Sequence, residues 1–314
     1  MKILVTGSEG SLMQFVIPVL INNGHTVIGV DNFARYGEID RDRDYEFVRG
    51  DLTDGDVVDN VTVGVDGIIQ AAALIYGVGG FHKYPADILS KDILLHQNIL
   101  RSMLKNNVRK IAYISSSMVY ERCKNHPSKE EDAFDSLVPS TDYGLSKLVG
   151  EKMCSAFARQ YGLTYTIWRP FNIITPYEVA EDEQGMSHVF ADFIQQLIVK
   201  QKNPLPIIGD GNQVRCFTWI EDVANAIGNW PFSDKTDNET YNIGNPEPIS
   251  MKDLARLIYQ GDDVLQFVTV KEYKDDVITR IPDISKAERE LNFKPTMKVL
   301  DAVNKCLSNY ITSA

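Results

Sequence analysis

"MKILVTGSEGSLMQFVIPVL", residues 1–20, is the stretch that decides the fold. An apolar, β-branched run leads into a short turn that contains Gly7 and Gly10, and an apolar segment of helical character follows. In a strand, turn and helix of this order, the unpaired N–H groups of the first helical turn can bind a pyrophosphate. Gly7 permits the tight turn, and Gly10 lets a phosphate approach the backbone. We therefore predict a dinucleotide-binding turn directly before this helix.

Met13 stands where a third glycine is usual in such turns. That glycine lets the helix pack close to the strand and does not contact the phosphates. Because a methionine side chain is flexible, we expect a slightly displaced helix and not a lost phosphate site. Two glycines alone are equally compatible with an ordinary strand, turn and helix that needs positive φ.

Asp31 favours the cofactor turn over that simpler interpretation. It ends the second predicted strand, "TVIGVD" (residues 26–31), where a carboxylate accepts hydrogen bonds from the adenosine ribose. A carboxylate there repels a 2′-phosphate, so NAD is expected over NADP, although Arg35 lies close enough to weaken this preference. In "GDLTD" (residues 50–54), Asp51 either meets the adenine edge or caps a helix.

Composition excludes several classes of function. The 314 residues carry 32 basic and 43 acidic side chains, a net charge of −11, without a basic run, so a nucleic-acid partner is not expected. Four cysteines without a CxxC pair and five histidines without ligand spacing predict no metal site. No run approaches about 18 apolar residues and no leader precedes the first strand, so we expect no membrane segment and a cytoplasmic protein.

The first half of the chain alternates predicted strands with predicted helices. This rhythm predicts an α/β fold, a doubly wound parallel sheet covered by helices on both faces. After "YTIWRPFNI" (residues 165–173) the rhythm gives way to proline-punctuated loops between separate helices, which indicates a second, smaller lobe.

The chemistry is predicted in "STDYGLSKLVGEKMC", residues 140–154. Tyr143 and Lys147 are four residues apart, so they share one face of a helix. An ammonium and a nicotinamide cation both favour the phenolate, which can then take a hydroxyl proton while hydride leaves the same carbon. Ser116, at the end of the strand in "IAYISSSMVYE" (residues 111–121), is the candidate to hold that proton. An amphipathic surface helix and a serine turn are the alternatives.

The order and spacing of ten stretches resemble the extended short-chain dehydrogenase/reductase family, in particular its nucleotide-sugar epimerase and dehydratase branch. The stretches are "TGSEG" (6–10), Asp31, "GDL" (50–52), "AAAL" (71–74), "SSSMVY" (115–120), "YGLSK" (143–147), "RPFNI" (169–173), "GDGNQVRCFTWIEDVA" (209–224), "YNIGNPEPIS" (241–250) and "PDISKAERELNFKP" (282–295). The resemblance implies an NAD-binding domain at residues 1–170 and mainly a lobe for a nucleotide-diphosphate sugar at 171–314. It also implies that the chain re-enters the first domain and forms a homodimer.

The resemblance also implies roles for individual residues. Tyr143 matches the family's base, Lys147 its cofactor-ribose lysine and Ser116 its hydroxyl residue. The implied cofactor contacts are Gly7, Gly10, Ser11, Leu12, Asp31, Asn32, Asp51, Leu52, Ala71, Ala72, Ala73, Tyr143, Lys147 and Pro170. The implied substrate contacts are Gly77, Ser117, Asn172, His188, Val189, Arg215 and Arg280. Among these, Asn172 and Arg215 match groups that hold the sugar-nucleotide pyrophosphate, and Arg280 is a second phosphate clamp.

The residues after Ser116 separate the reactions of this branch. Dehydrating members resemble one another in an Asp-Glu pair there, whereas this chain has Ser117 and Met118, which cannot supply the extra acid and base. We therefore predict an NAD-dependent nucleotide-sugar 4-epimerase that acts by transient oxidation at C4, a 4-keto intermediate and hydride return.

Two alternatives stay open. "GMSHVFADFI" (185–194), which contains His188, and "YGVGGFHKYPADIL" (76–89) resemble the GDP-fucose synthase type, a 3,5-epimerase/reductase of 4-keto sugars that prefers NADPH. A histidine that opens a helix is also often a cap or a substrate contact. The second alternative is a non-catalytic module that binds NAD or a sugar nucleotide, because fold does not fix function.

Overall fold

The computed structural model describes residues 1–35, 37–38, 41–178, 180–271, 273 and 276–312, with the backbone alone at 309–312. The strands are β1 (Lys2–Thr6), β2 (Thr26–Asp31), β3 (Glu46–Arg49), β4 (Gly67–Gln70), β5 (Lys110–Ile114), β6 (Thr164–Pro170), β7 (Ile173–Ile174), β8 (Leu205–Ile208), β9 (Val214–Cys216), β10 (Thr218–Trp219), β11 (Glu239–Ile243), β12 (Pro248–Ser250), β13 (Phe267–Lys271) and β14 (Thr279–Arg280).

The helices lie between and after these strands. They are α1 (Met13–Asn22), α2 (Gly55–Val61), α3 (Val78–Lys83), α4 (Pro85–Lys105), α5 (Asp132–Asp135), α6 (Asp142–Tyr161), α7 (Val189–Ile194), α8 (Ile220–Asn229), α9 (Met251–Ile258), α10 (Ser285–Leu291) and α11 (Val299–Thr312). Short 3₁₀ turns span Ser117–Tyr120 and Asp234–Thr236, and α7 continues as a π-helix over Gln195–Val199.

The central sheet is parallel and has the strand order β11-β6-β5-β4-β1-β2-β3. Its inner strands are buried on both faces because helices cover both sides. In β1, Ile3 and Val5 join the core on one face and Leu4 joins the core on the other. The doubly wound parallel sheet predicted from the sequence is confirmed.

The strand order reverses between β1 and β4, which are neighbours in the sheet. Connections from these two strands leave toward opposite faces, and a crevice opens at their carboxyl ends. This crevice is where the predicted cofactor turn lies, because Gly7 directly follows β1.

The smaller lobe is built from short sheets and helices around its own apolar core. It contains the β9, β12 and β14 sheet, the β8 and β13 pair, and a core to which α7, α9 and α11 contribute Phe190, Leu254 and Val303. Between β9 and β12, the chain returns to the central sheet as β11, which pairs in parallel with β6.

Met13 is fully buried at the start of α1, in the core that also contains Trp168 and Val223. On the other side of α1, Val19 contacts α8 so closely that a Cβ at Gly228 would lie 2.7 Å from its side chain. The thioether therefore fills core space where α1 meets the sheet, while a glycine of α8 permits the close helix contact.

A buried ion pair joins α6 to the end of β6. The guanidinium of Arg169 donates to both carboxylate oxygens of Glu151, at 2.8 and 2.7 Å, and to the hydroxyl of Tyr120 at 2.6 Å. The side chains of Arg169 and Glu151 are fully shielded from solvent. Ser115, at the end of β5, donates to the same carboxylate. This network fixes α6 against the carboxyl ends of β5 and β6.

Replacement of Glu151 with Ala is expected to lower the free energy of unfolding by about 3–5 kcal/mol, because it leaves a buried guanidinium unpaired. Urea unfolding followed by circular dichroism measures the change. Arg256→Ala, which removes an exposed pair with Asp253, is the control and should cost less than about 1 kcal/mol. Equal losses for the two variants would contradict a dominant role for the buried pair.

Candidate functional site

One cavity of about 900 Å³ opens at the carboxyl edge of the central sheet. It runs from the glycine turn after β1 to the small lobe. Every residue for which the sequence predicted a cofactor, substrate or catalytic contact lines this cavity. Residues that are far apart along the chain are therefore brought to one site.

The glycine turn forms a cradle of backbone atoms at one end of the cavity. Gly7 has φ +65°, and its N–H donates to the carbonyl of Val30 at 2.9 Å. A Cβ at Gly7 would lie 2.9 Å from the backbone of Ala72, so only glycine fits. The N–H of Gly10 closes the turn on the carbonyl of Gly7 at 3.0 Å. Such a cradle before a helix start suits a pyrophosphate, so these residues fit a dinucleotide.

Asp31 lies beside this turn at the end of β2. Its carboxylate accepts the N–H groups of Glu9 at 3.0 Å and Phe33 at 2.7 Å. Burial raises the pKa of Asp31, which the hydrogen bonds partly oppose. The guanidinium of Arg35, also near this turn, binds Glu181 and lies 5.5 Å from the ring centre of Tyr76.

Asp51 follows β3 and is held in a local turn. Its carboxylate accepts the N–H and hydroxyl of Thr53, at 2.9 and 2.8 Å, and the side-chain amide of Asn32 at 3.3 Å. The cap of α2 is Asp54, whose carboxylate accepts the N–H of Asp56 at 2.9 Å. Asp54, and not Asp51, therefore caps α2, and Asp51 lines the cavity.

Tyr143 and Lys147 lie on the buried face of α6, as their spacing predicts. The ring of Tyr143 stacks on Phe81 with 4.6 Å between centroids, and the Lys147 ammonium is 5.6 Å from the Tyr143 ring centre. Lys147 Nζ donates to the carbonyl of Ile114 at 3.1 Å. Ser116 hydrogen-bonds the phenol of Tyr143. The hydroxyl, phenol and ammonium thus form one cluster at the ends of β5 and α6.

Opposing effects set the proton affinities in this cluster. Burial raises the pKa of Tyr143 well above its usual value, and the charge of Asp92 raises it further. The hydrogen bond from Ser116 and the charge of Arg280 lower the same pKa. Burial also lowers the pKa of Lys147, against the charges of Asp92 and Glu151.

Asp92 is a member of this cluster that the sequence motifs did not identify. It is fully buried on α4, where its carboxylate accepts the N–H of Leu74 at 2.9 Å and the hydroxyl of Ser146 at 3.0 Å. Burial raises the pKa of Asp92 and the charge of Lys147 lowers it. A signal was available, because Asp92 shares the apolar face of its helix with Ile88 and Ile99.

Two arginines form the opposite end of the cavity. Arg215 on β9 and Arg280 on β14 are register partners, and both are buried. Arg280 donates to the Asn172 side-chain oxygen at 3.0 Å and contacts the sulfur of Met118. Arg215 pairs with Asp276 at 3.2 Å. Burial and the neighbouring charge of Arg215 lower the pKa of Arg280 to about 9, so this end of the cavity favours an anion.

His188 immediately precedes α7 and pairs with a buried carboxylate. Its ring Nδ1 lies 2.8 Å from Glu178 Oε1, and its backbone N–H donates to the same oxygen at 2.9 Å. Burial opposes the imidazolium, but the Glu178 carboxylate outweighs it and raises the pKa of His188. His188 lies at the helix-cap position without a capping side-chain bond, so the pair with Glu178 is its main interaction there.

Gly77 closes the cavity from the side of α3. Its N–H donates to the carbonyl of Met186 at 2.8 Å, and a Cβ would lie 2.0 Å from the carbonyl of Ser187. The glycine-rich loop, residues 77–80 at the start of α3, therefore docks backbone to backbone on the segment that leads to His188. Ser117 and Val189, also named from the sequence, begin the 3₁₀ turn and α7 on either side of this space.

In the part of the chain that the structure describes, no group of three or more His, Cys, Asp or Glu side chains is arranged to hold a metal ion. Over the same residues, the helices are too short or too polar to cross a membrane.

Comparison with known proteins identifies the family. The model of the NAD dependent epimerase/dehydratase family matches residues 3–244. The chain is 32% identical to the putative UDP-glucose 4-epimerase of Methanocaldococcus jannaschii, over 98% of this chain and 97% of that one. It is 27% identical to GDP-mannose 3,5-epimerase 1 of Oryza sativa subsp. japonica, over 96% and 80%. The crystal structure of Thermotoga maritima UDP-glucose 4-epimerase with UDP-glucose shares 27% identity and a TM-score of 0.86, over 100% and 99%.

The chain thus belongs to the NAD-dependent epimerase/dehydratase family, and the resemblance predicted from its sequence motifs is confirmed.

Gly7→Ala is expected to destabilise the protein more than Gly24→Ala. Both glycines have positive φ, +65° and +81°, so each alanine costs about 1–2 kcal/mol of backbone strain. Only at Gly7 would the new Cβ also collide with backbone atoms, those of Ala72 after β4, since nothing lies within 4 Å of the Gly24 position. Urea unfolding of both variants measures the difference, and equal losses would show that the cradle yields to a side chain.

Proposed function

We propose that the protein is an NAD-dependent nucleotide-sugar 4-epimerase. The observation that carries this proposal is the single cavity that joins the Ser116, Tyr143 and Lys147 cluster to the paired guanidinium groups of Arg215 and Arg280. A hydroxyl oxidation site and an anion site within one cavity suit a sugar linked to a diphosphate. The named relatives, among them UDP-glucose 4-epimerases, support this class of substrate.

The cofactor would be held by the turn and the strand ends. The Gly7 and Gly10 turn would bind the pyrophosphate through backbone N–H groups, and Asp31 would accept the adenosine ribose hydroxyls. Asp51 would lie toward the adenine, and Lys147 toward the other ribose. When bound, NAD supplies a hydride acceptor for carbon 4 of the sugar and a hydride donor for its return.

The nucleotide-diphosphate sugar would lie with its pyrophosphate on Arg215, Arg280 and Asn172. Guanidinium groups bind phosphate oxygens by charge-assisted hydrogen bonds, which are stronger than neutral ones. Asp276, now paired with Arg215, would exchange that partner for the ligand. The sugar would then extend toward Tyr143.

Tyr143 would act as the acid and base of the reaction. Its phenolate would remove the proton of the C4 hydroxyl as carbon 4 is oxidised, and return it when the sugar is reduced on the opposite face. Ser116 would stabilise the phenolate by a hydrogen bond. The ammonium of Lys147, 5.6 Å from the Tyr143 ring centre, would favour it by its positive charge. Ser117 and Met118 offer no further acid or base near this hydroxyl, in agreement with an epimerase that needs no elimination step.

A second candidate function is supported by the His188 and Glu178 pair. The Glu178 carboxylate raises the pKa of His188, which favours the imidazolium and so a proton donor inside the same cavity. A 3,5-epimerase/reductase of the GDP-fucose synthase type needs such a donor, and a GDP-mannose 3,5-epimerase is among the relatives. Asp31 opposes the NADPH preference of that type.

Proton NMR of the purified protein with UDP-, dTDP- and GDP-sugars, in the presence of NAD and without a reductant, tests the proposal. A new anomeric signal that reaches equilibrium without net NADH is expected. Tyr143→Phe should reduce this turnover by about 10²–10⁴-fold, since it removes the proton acceptor. Tyr161→Phe, at the exposed end of the same helix, is the matched control and should retain it.

Other outcomes identify the alternatives. Conversion only of a 4-keto sugar, and only with NADPH, would replace the epimerase proposal by the reductase. Binding of NAD or of a sugar nucleotide without turnover of any sugar, unchanged in Tyr143→Phe, would identify a non-catalytic module.

Asp92→Asn is expected to move the pH profile of kcat/KM to lower pH. The charge of Asp92 raises the pKa of both Tyr143 and Lys147, so its removal lowers both. The acid limb, where Tyr143 becomes protonated, should therefore shift down by about 0.5–1 pH unit, and the alkaline limb should follow. Initial rates measured from about pH 5 to about pH 10 test this shift.

Asp87→Asn on the same helix is the control, because Asp87 is exposed and pairs only at the surface with Lys91. An acid limb that stays in place, or moves to higher pH, would contradict the role of Asp92.

A further inference from the structure

We propose that Glu9 is a second cofactor-selecting carboxylate: by holding Arg41 and Arg43, it keeps the adenosine site selective for a 2′-hydroxyl and against a 2′-phosphate. The proposal rests on the NAD dependence proposed above and goes beyond it, since Asp31 alone was expected to select the cofactor.

Glu9 lies between the two glycines of the turn, and its side chain is only 3% exposed. Its carboxylate accepts two bonds from Arg43, at 3.2 and 3.0 Å, and the hydroxyl of Tyr45 at 2.7 Å. The Nε of Arg41 lies 3.2 Å from the same carboxylate. Two guanidinium groups and one phenol thus converge on a single side chain of the dinucleotide turn.

This cluster adjoins the expected ribose site directly. The backbone N–H of Glu9 donates to Asp31 Oδ2 at 3.0 Å, so the residue that holds the arginines also orients the carboxylate that would bind the ribose. Of the described residues in this cluster, Glu9 and Asp31 line the cavity, and the two arginines do not. The guanidinium groups of Arg41 and Arg43 are therefore close to the adenosine site but paired with Glu9.

The physical consequence concerns the 2′-phosphate of NADP. Arginine is the side chain best suited to a phosphate, because its planar group can donate two parallel hydrogen bonds. An arginine near the ribose is the usual means of accommodating a 2′-phosphate. Here that capacity is directed to Glu9, and the carboxylate of Asp31 would repel the added charge.

Packing around the two arginines stabilises this arrangement. The guanidinium of Arg43 lies 4.5 Å from the ring centre of Phe47, and Arg41 donates to the hydroxyl of Tyr45 at 3.2 Å. The ring of Tyr45 rests on β2, where a Cβ at Gly29 would approach it to 2.5 Å. Tyr45 and Phe47 contact the two arginines and therefore position them at the edge of the sheet nearest to Asp31.

Titration calorimetry of NAD and NADP at one ionic strength tests the proposal on the wild-type protein and on Glu9→Ala. The affinity for NADP is expected to rise about tenfold or more, the effect of a regained charged hydrogen bond, while that for NAD changes less than about threefold. The triple variant Glu9→Ala/Arg41→Ala/Arg43→Ala should lose the gain. Glu38→Ala, which removes an exposed pair with Arg49, is the matched control and should change neither affinity.

The outcomes separate this inference from the proposed function. NAD binding by Glu9→Ala without a gain in NADP affinity, or a gain that persists in the triple variant, would overturn the role of Glu9. A wild-type protein that binds NADP as tightly as NAD would overturn both the inference and the expected NAD dependence, whereas loss of epimerisation alone would affect only the proposed function. If Glu9→Ala does not fold, Glu9→Gln keeps the shape of the side chain, removes its charge and should show a smaller gain in the same direction.

Discussion

One threonine hydroxyl ties together the two strand ends between which the cavity opens. Thr6 Oγ1 accepts the N–H groups of Ala71 and Ala72, at 3.0 and 3.1 Å, and donates to Gln70 at 2.7 Å. These strand ends are where the order of the sheet reverses, so neither is covered by its own connection. The hydroxyl keeps the chain after β4 against the turn after β1. That proximity explains why Gly7 has no room for a side chain and why the cavity has a floor of backbone atoms.

The cavity wall and the core behind it contain more charged side chains than a buried region usually does. A lone buried charge is unfavourable, and each charge here has a countercharge or hydrogen bonds close to it. Arg169 is neutralised by Glu151 behind the site, and Lys147 lies within the fields of Glu151 and Asp92. Because Tyr143 is also buried, small changes in these fields alter its proton affinity more than they would in water. In the proposed function, the charge of Asp92 therefore acts on the proton affinity of Tyr143 as well as on Lys147.

Sequence patterns were most informative where the function depends on local geometry. The Gly7 and Gly10 turn, the end of β2 at Asp31 and the four-residue spacing of Tyr143 and Lys147 are local, and the strand and helix rhythm around them predicted the sheet. Contacts that depend on tertiary packing left little trace in the sequence. The stacking of Phe81 on Tyr143 depends on how the glycine-rich loop docks, and Glu9 meets its arginines only after β2 and β3 pair. Asp92 is intermediate, since an acid on an apolar helix face signals a buried partner but does not name it.

The two ends of the cavity offer different kinds of hydrogen-bond donor to a pyrophosphate. In the proposed function both ligands carry a pyrophosphate, so the protein must distinguish a dinucleotide from a sugar nucleotide by what surrounds that group. At the β1 end the phosphates would meet backbone N–H groups, and the acidic side chains of Asp31 and Glu9 line that part of the cavity. At the small-lobe end they would meet two guanidinium groups, Arg215 and Arg280, with one acid, Asp276, in exchange. In the proposed function this asymmetry would orient both ligands with their reactive ends toward Tyr143, although the chain as a whole has a net charge of −11.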